Sequence, residues 1–87
     1  MAETVDEHIG RQLLHRRREL GLTQSQLGVS IGVSLQQIQK YECAANRMSA
    51  SRLWQLAEAL DVPVTYFFEG LSTRPALIHG GRPDRAA

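Results

Sequence analysis

Cysteine is almost absent from this 87-residue chain: Cys43 stands alone. That excludes an intramolecular disulfide framework and a cysteine cluster for a metal, and it points to a reducing, cytoplasmic setting. Long apolar runs are missing as well. None approaches the roughly 20 residues a bilayer span requires, so neither a membrane segment nor a secretory leader is expected. Net charge is low, +1 at neutral pH, which taken alone argues against a strongly basic polyanion binder. Strand-like alternation, internal repeats and a phosphate-cradling glycine loop are absent. His8 and His15 share one helix with no third ligand beside them and are expected in solvent, and His79 lies in the tail. No nucleophile stands at a useful spacing from a base. The reading is therefore of a protein without catalytic residues, cofactor or metal.

Apolar residues make up 43% of the chain and charged residues 22%, the balance of one small domain with a packed core. The charge is unevenly placed. Residues 1–10 carry Glu3, Asp6 and Glu7 and no cation; residues 11–55 carry seven basic residues against two acidic ones; residues 56–70 are acidic again. The positive field sits on the middle of the chain, as phosphate binding or a solvated helix face requires.

Helical spacing organises that middle. From Asp6 onward Ile9, Leu13, Arg17 and Leu20 recur on one face, Asp6 and Glu7 suit the helix N-terminal dipole, and Gly21 is a stop. Met1 to Val5 is expected to fray. Thr23 with Gln26 reads as a capping box opening a second helix through Leu27 and Ile31 to Gly32. Ser34 with Gln37 repeats the signature for a third helix through Ile38 and Tyr41 to Glu42. Ser49 or Ser51 caps a fourth, marked by Leu53, Leu56, Ala57 and Leu60. Pro63 opens a fifth, short helix with Val64, Tyr66, Phe67 and Phe68, closed by Gly70. The expected fold is all-α: a compact five-helix bundle over residues 6–70, between a flexible 1–5 and a disordered tail, 71–87.

Only Gly32, Val33 and Ser34 separate the second and third helices, which is helix-turn-helix punctuation. Leu27, Ile31, Val33 and Ile38 form its apolar inside, Gly28 lacks a side chain where the helices approach, and Gly32 permits the positive φ of a sharp reversal. With Ile38 inward, Gln36, Gln37, Gln39 and Lys40 are left on the solvent side near the start of the third helix. Glutamine pairs bidentately with adenine and lysine donates to guanine. No acidic residue precedes Glu42 in this helix. The competing reading is a helical hairpin that binds only protein.

The stretch GLTQSQLGVSIGVSLQQIQKYE, Gly21 to Glu42, followed by LWQLAEALDVPVTYFFEG, resembles the Cro and lambdoid phage repressor family, also called the xenobiotic-response-element class. The likeness runs roughly from Ile9 to Gly70. It implies a bacterial or phage DNA-binding transcriptional regulator, a repressor, bound to double-stranded DNA as a homodimer on a two-fold symmetric operator. Residue by residue, it implies that Gln24 contacts a phosphate and braces the third helix. Leu35, Gln36, Gln37 and Lys40 match the positions that reach base edges, with Gln39 at the flank and the cap Ser34 beside them. Leu35 is placed for a thymine methyl. Arg47 matches a backbone-holding loop position, with Asn46, Ser49 and Arg11 as further phosphate candidates. Arg17 and Glu42 match a partly buried structural ion pair. Ala44 departs from the glycine common at its position. Trp54 lies beside the apolar stripe of the fourth helix and suits a dimer interface; by resemblance Val64 and Phe67 join it while Tyr66 turns inward. Arg16 and Arg18 are expected in solvent, and Cys43 semi-buried.

An antitoxin-like module that binds a partner protein, and autoregulates its operon, is the alternative from another class. Leu77 and Ile78, apolar in a polar tail, are its only support. Deleting residues 71–87 separates the two in a DNA-binding and pull-down assay: an operator binder keeps its DNA affinity, whereas a partner-binding tail takes the partner with it.

Overall fold

The fold begins at Thr4, one turn before the first apolar contact. Its hydroxyl accepts a hydrogen bond from Glu7 N at 3.0 Å, and the Glu7 carboxylate accepts one from Thr4 N at 2.9 Å. This reciprocal capping box satisfies the orphan N–H groups of the first turn, so helix α1 runs Val5–Glu19, one residue earlier than periodicity alone indicates. Val5 therefore lies inside the helix and does not belong to a frayed end. The structure is a computed structural model and describes residues 3–71; the tail with Leu77 and Ile78 lies outside the described residues.

Helix α2 spans Gln24–Ile31, α3 Leu35–Glu42 and α4 Ala50–Leu60. Thr23 and Gln26 form the second complete capping box, and Ser49, not Ser51, caps α4. Ser34 caps α3 through Gln37 N at 3.1 Å, but the box is only half made, because the Gln37 side chain turns toward Asn46 instead of back to the Ser34 backbone. Gly32 ends α2 at φ 75°, the left-handed conformation that glycine adopts without a Cβ penalty.

The fifth element is not an α-helix. Val64–Phe68 forms a 3₁₀ helix, with Tyr66 N bonded to Pro63 O at 2.9 Å and Glu69 N to Tyr66 O at 3.2 Å. Five residues are too few to reward regular i→i−4 bonding. The count of five helices thus becomes four α-helices and one 3₁₀ turn, with no strand among the described residues.

At three residues per turn the aromatic order shifts. Phe67 is fully buried, Tyr66 is half-buried edge-on to it, and Phe68 is left exposed. Phe67 joins Leu13, Leu27, Ile38, Leu56 and Leu60 as the enclosed centre of the core. It contributes core packing and is not available to a dimer interface.

Side chains of α1 hold the end of α4 and this last segment by their carbonyls. Gln12 Nε2 donates to Tyr66 O at 2.9 Å and Arg16 Nε to Leu60 O at 3.0 Å. His8 Nε2 lies 2.7 Å from Glu69 O, and since a carbonyl only accepts, that ring nitrogen carries the proton. His8 is therefore a buried latch, not a solvated side chain, and Arg16 is engaged where Arg18 is exposed.

Two glycines let backbones meet. A Cβ on Gly28 would stand 2.6 Å from Val33 O, and one on Gly10 would stand 2.6 Å from both Tyr41 O and Glu42 O. The second contact, α1 against the end of α3, has no signature in the local sequence.

Beyond α3 the backbone turns at Ala44 with φ 63°. Alanine in that region costs roughly 1–2 kcal/mol, part of which glycine would give back in unfolded-chain entropy. Ala44→Gly is accordingly expected to raise stability by about 0.5–1 kcal/mol, read as a higher urea midpoint at unchanged slope.

Candidate nucleic-acid interface

Helix α3 is fastened on its inner side and open on the outer. Ile38 and Tyr41 are buried, while Leu35, Gln36, Gln39 and Lys40 are exposed and Gln37 is half-buried. The outer face of α3 thus offers amide, ammonium and apolar groups to solvent with no carboxylate among them. Those are the groups that read base edges in a major groove. Ser34 sits at the tip of this surface but spends its hydroxyl on the cap.

The fastening is an ion pair. Arg17 Nε and Nη2 donate to the two Glu42 oxygens at 2.6 and 3.1 Å, and Arg17 Nη1 donates to Leu22 O at 2.8 Å. Glu42 Oε1 also accepts from Gln24 Nε2 at 2.9 Å. Only 10% of the Arg17 side chain and 6% of the Glu42 side chain remain exposed. The end of α1, the start of α2 and the end of α3 meet at these groups. Gln24, with its amide on Glu42, is half-buried at the head of α2.

The phosphate candidates fall into two sets. Asn46 and Arg47 occupy the loop after α3, and Asn46 Nδ2 approaches Gln37 Oε1 at 3.5 Å, so the loop borders the exposed face of α3. Arg47 is 85% exposed and donates Nε to Asp6 Oδ2 at 3.0 Å. Arg11 stands elsewhere, on α1, clasped by Glu3 through Nε at 2.8 Å and Nη2 at 2.6 Å. Arg11's hydrogen bond holds the Glu3 carboxyl below its ordinary value, so the clasp gives way only as pH falls through that lowered value. The structure brings Arg11 to Glu3 and not to α3.

Trp54 is 61% exposed on α4. It borders an open groove of about 480 Å³ lined by Ser30, Ile31, Gln55, Glu58 and Ala59. Val64 is half-buried against the core. Cys43 is exposed, one residue past α3, and not semi-buried. Among the described residues, no group of three or more His, Cys, Asp or Glu side chains is placed to hold a metal, and no helix is long and apolar enough to cross a membrane.

Sequence reasoning missed the carboxylates that pair with Arg11 and Arg47. The Thr4-x-x-Glu7 pattern does signal an ordered N-terminus, and with it the placement of Glu3 and Asp6.

Two capped helices in a fixed turn, the second presenting an acid-free polar face, define a helix-turn-helix domain of the DNA-binding type. The model of the helix-turn-helix family matches residues 13–67, and the chain belongs to that family, in its Cro and phage-repressor branch. It is 44% identical over 85 residues to an uncharacterised HTH-type transcriptional regulator of Sinorhizobium fredii, covering 98% of this chain and 59% of that protein. It is 55% identical over 67 residues to an uncharacterised transcriptional regulator in the ATPase CF(0) region of Rhodospirillum rubrum, covering 77% and 62%. The chain thus spans about three-fifths of these relatives. Among solved structures it is similar to the P22 c2 repressor in complex with a synthetic operator, with TM-score 0.66, 29% identity and coverage of 71% of this chain and 94% of that one. It is also similar to the restriction-modification controller protein C.AhdI of Aeromonas hydrophila, with TM-score 0.69, 26% identity and the same coverage, 71% and 94%.

Removing one partner of the buried pair leaves the other charge stranded. Arg17→Met is expected to cost about 3–5 kcal/mol in urea denaturation, and adding Glu42→Leu to recover much of that loss.

Proposed function

We propose that this chain is a sequence-specific DNA-binding transcriptional regulator that sets α3 in the major groove of a two-fold symmetric operator and acts as a homodimer. The observation that carries this reading is the outer face of α3: Leu35, Gln36, Gln39 and Lys40 exposed together, with the only acidic residue of the helix, Glu42, turned inward to Arg17. In this reading Gln36 and Gln37 read adenine edges, Lys40 a guanine, and Leu35 a thymine methyl, while Gln24, Asn46 and Arg47 hold the backbone. The P22 c2 repressor, with its operator-bound structure, supports the same docking here and supports repression, by covering a site that polymerase needs.

A domain this small makes a small DNA footprint, and pairing two copies across half-sites about one helical turn apart multiplies it. Trp54 is the anchor we assign to that contact, because a large exposed aromatic beside a groove is the usual centre of such an interface. Val64 stands with it.

The test is enrichment of duplexes from a random pool by the purified protein, followed by a salt-series titration with the Gln36→Ala/Gln37→Ala variant alongside. A two-fold symmetric sequence is expected to emerge, and the variant to lose about 1–3 kcal/mol per removed base contact on it. Weak, salt-sensitive binding that is indifferent to sequence and unchanged in the variant would overturn base reading by α3.

A further inference from the structure

The pair between Arg47 and Asp6 spans 41 positions of sequence and joins the loop after α3 to the first turn of α1. Its setting gives it weight. From Leu20 to Ser51 the chain has only two cations, Lys40 and Arg47, and the only carboxylate in that stretch, Glu42, is committed to Arg17. The helix-turn-helix and its following loop therefore face solvent with two positive charges, one of which is already held by an anion. The Asp6 side chain is itself 39% exposed, so its carboxylate belongs to the surface and not to the core. Arg47 lies beside Asn46, whose amide approaches Gln37 on the outer face of α3.

Resting on the reading of that face as the DNA surface, we propose that Asp6 is a built-in competitor for DNA, holding Arg47 in the free protein until a backbone phosphate displaces it. A carboxylate and a phosphate oxygen ask the same thing of a guanidinium, a negative acceptor in the plane of its N–H groups. Docking a duplex along α3 exchanges one anion for the other and leaves Asp6 facing the phosphates unpaired. That penalty falls on every complex, and only those that also gain base contacts offset it. Asp6 thereby keeps sequence-independent binding weak.

Glu7 provides the control. It carries the same charge in the same helical turn, but its carboxylate is bonded to Thr4 N and, among the described residues, to no arginine. Glu7→Gln changes net charge equally, keeps a capping side chain, and leaves Arg47 bound.

The experiment titrates a random-sequence duplex of about two helical turns with the full chain and with Asp6→Asn, Glu7→Gln, Arg47→Gln and Asp6→Asn/Arg47→Gln, over a salt series near neutral pH. Far-ultraviolet circular dichroism verifies that each variant is folded. Asp6→Asn is expected to tighten binding roughly 2- to 5-fold at low salt, more than Glu7→Gln does, with the gain shrinking as salt screens it. The gain over Glu7→Gln is expected to vanish in the Arg47→Gln background, since the competitor then has nothing to hold. A gain of equal size with and without Arg47, or equal to that of Glu7→Gln, overturns the proposal in favour of a general charge effect. Looser binding by Asp6→Asn overturns it in favour of a carboxylate that orients Arg47 for the phosphate. Loss of all duplex binding in every protein, the parent included, overturns the DNA reading itself, an outcome distinct from intact binding that ignores Asp6.

Discussion

The orientation of α3 rests first on one guanidinium. Arg17 touches the end of α3 and the backbone just ahead of α2 at once, through Glu42 and through Leu22 O. Its partner is fully used as well, since Glu42 takes a third donor from Gln24. A buried ion pair is weak evidence of net stability, because desolvation offsets much of the attraction. Its value here lies in direction. An apolar contact of the same size would tolerate sliding, whereas a two-pronged arginine–carboxylate pair fixes distance and angle together. The two helices that need a defined relation, α2 and α3, are referred to the same carboxylate.

The glycine contacts act on the same problem from the backbone side. Gly28 brings α2 against the turn and Gly10 brings α1 against the last carbonyls of α3, each so close that a methyl group would collide with main-chain oxygen. Close approach leaves no room for intervening side chains, so α3 is seated on main chain at both ends. Its outer residues are then free of any structural duty. Leu35, Gln36, Gln39 and Lys40 can be chosen for what they touch outside the molecule, which is the freedom a family of readers with different targets requires.

How much of this was legible in the sequence depended on range. The capping signatures at Thr23 and Ser34, the Gly32 turn and the leucine spacing of α4 are local, and each corresponds to an element in the structure. Sequence reasoning failed at one aromatic. Family likeness puts Phe67 at an interface, whereas in the 3₁₀ segment after Pro63 it is enclosed in the core. It failed again wherever a polar side chain finds a partner far along the chain. Nothing near His8 announces Glu69 O, nothing near Gly10 announces Tyr41 O, and nothing near Arg47 announces Asp6. The Arg17–Glu42 pair came from family likeness and not from spacing, for the same reason.

The His8–Glu69 bond also decides how the domain carries load. It brings the first turns of α1 and the end of the 3₁₀ helix within one imidazole of each other, so the chain enters and leaves the domain side by side. A pull between those two ends strains the His8–Glu69 and Gln12–Tyr66 bonds. The same first turn of α1 holds Arg47 through Asp6, so anything attached at that end acts beside the outer face of α3. The reading surface and its N-terminal tether meet at one helical turn.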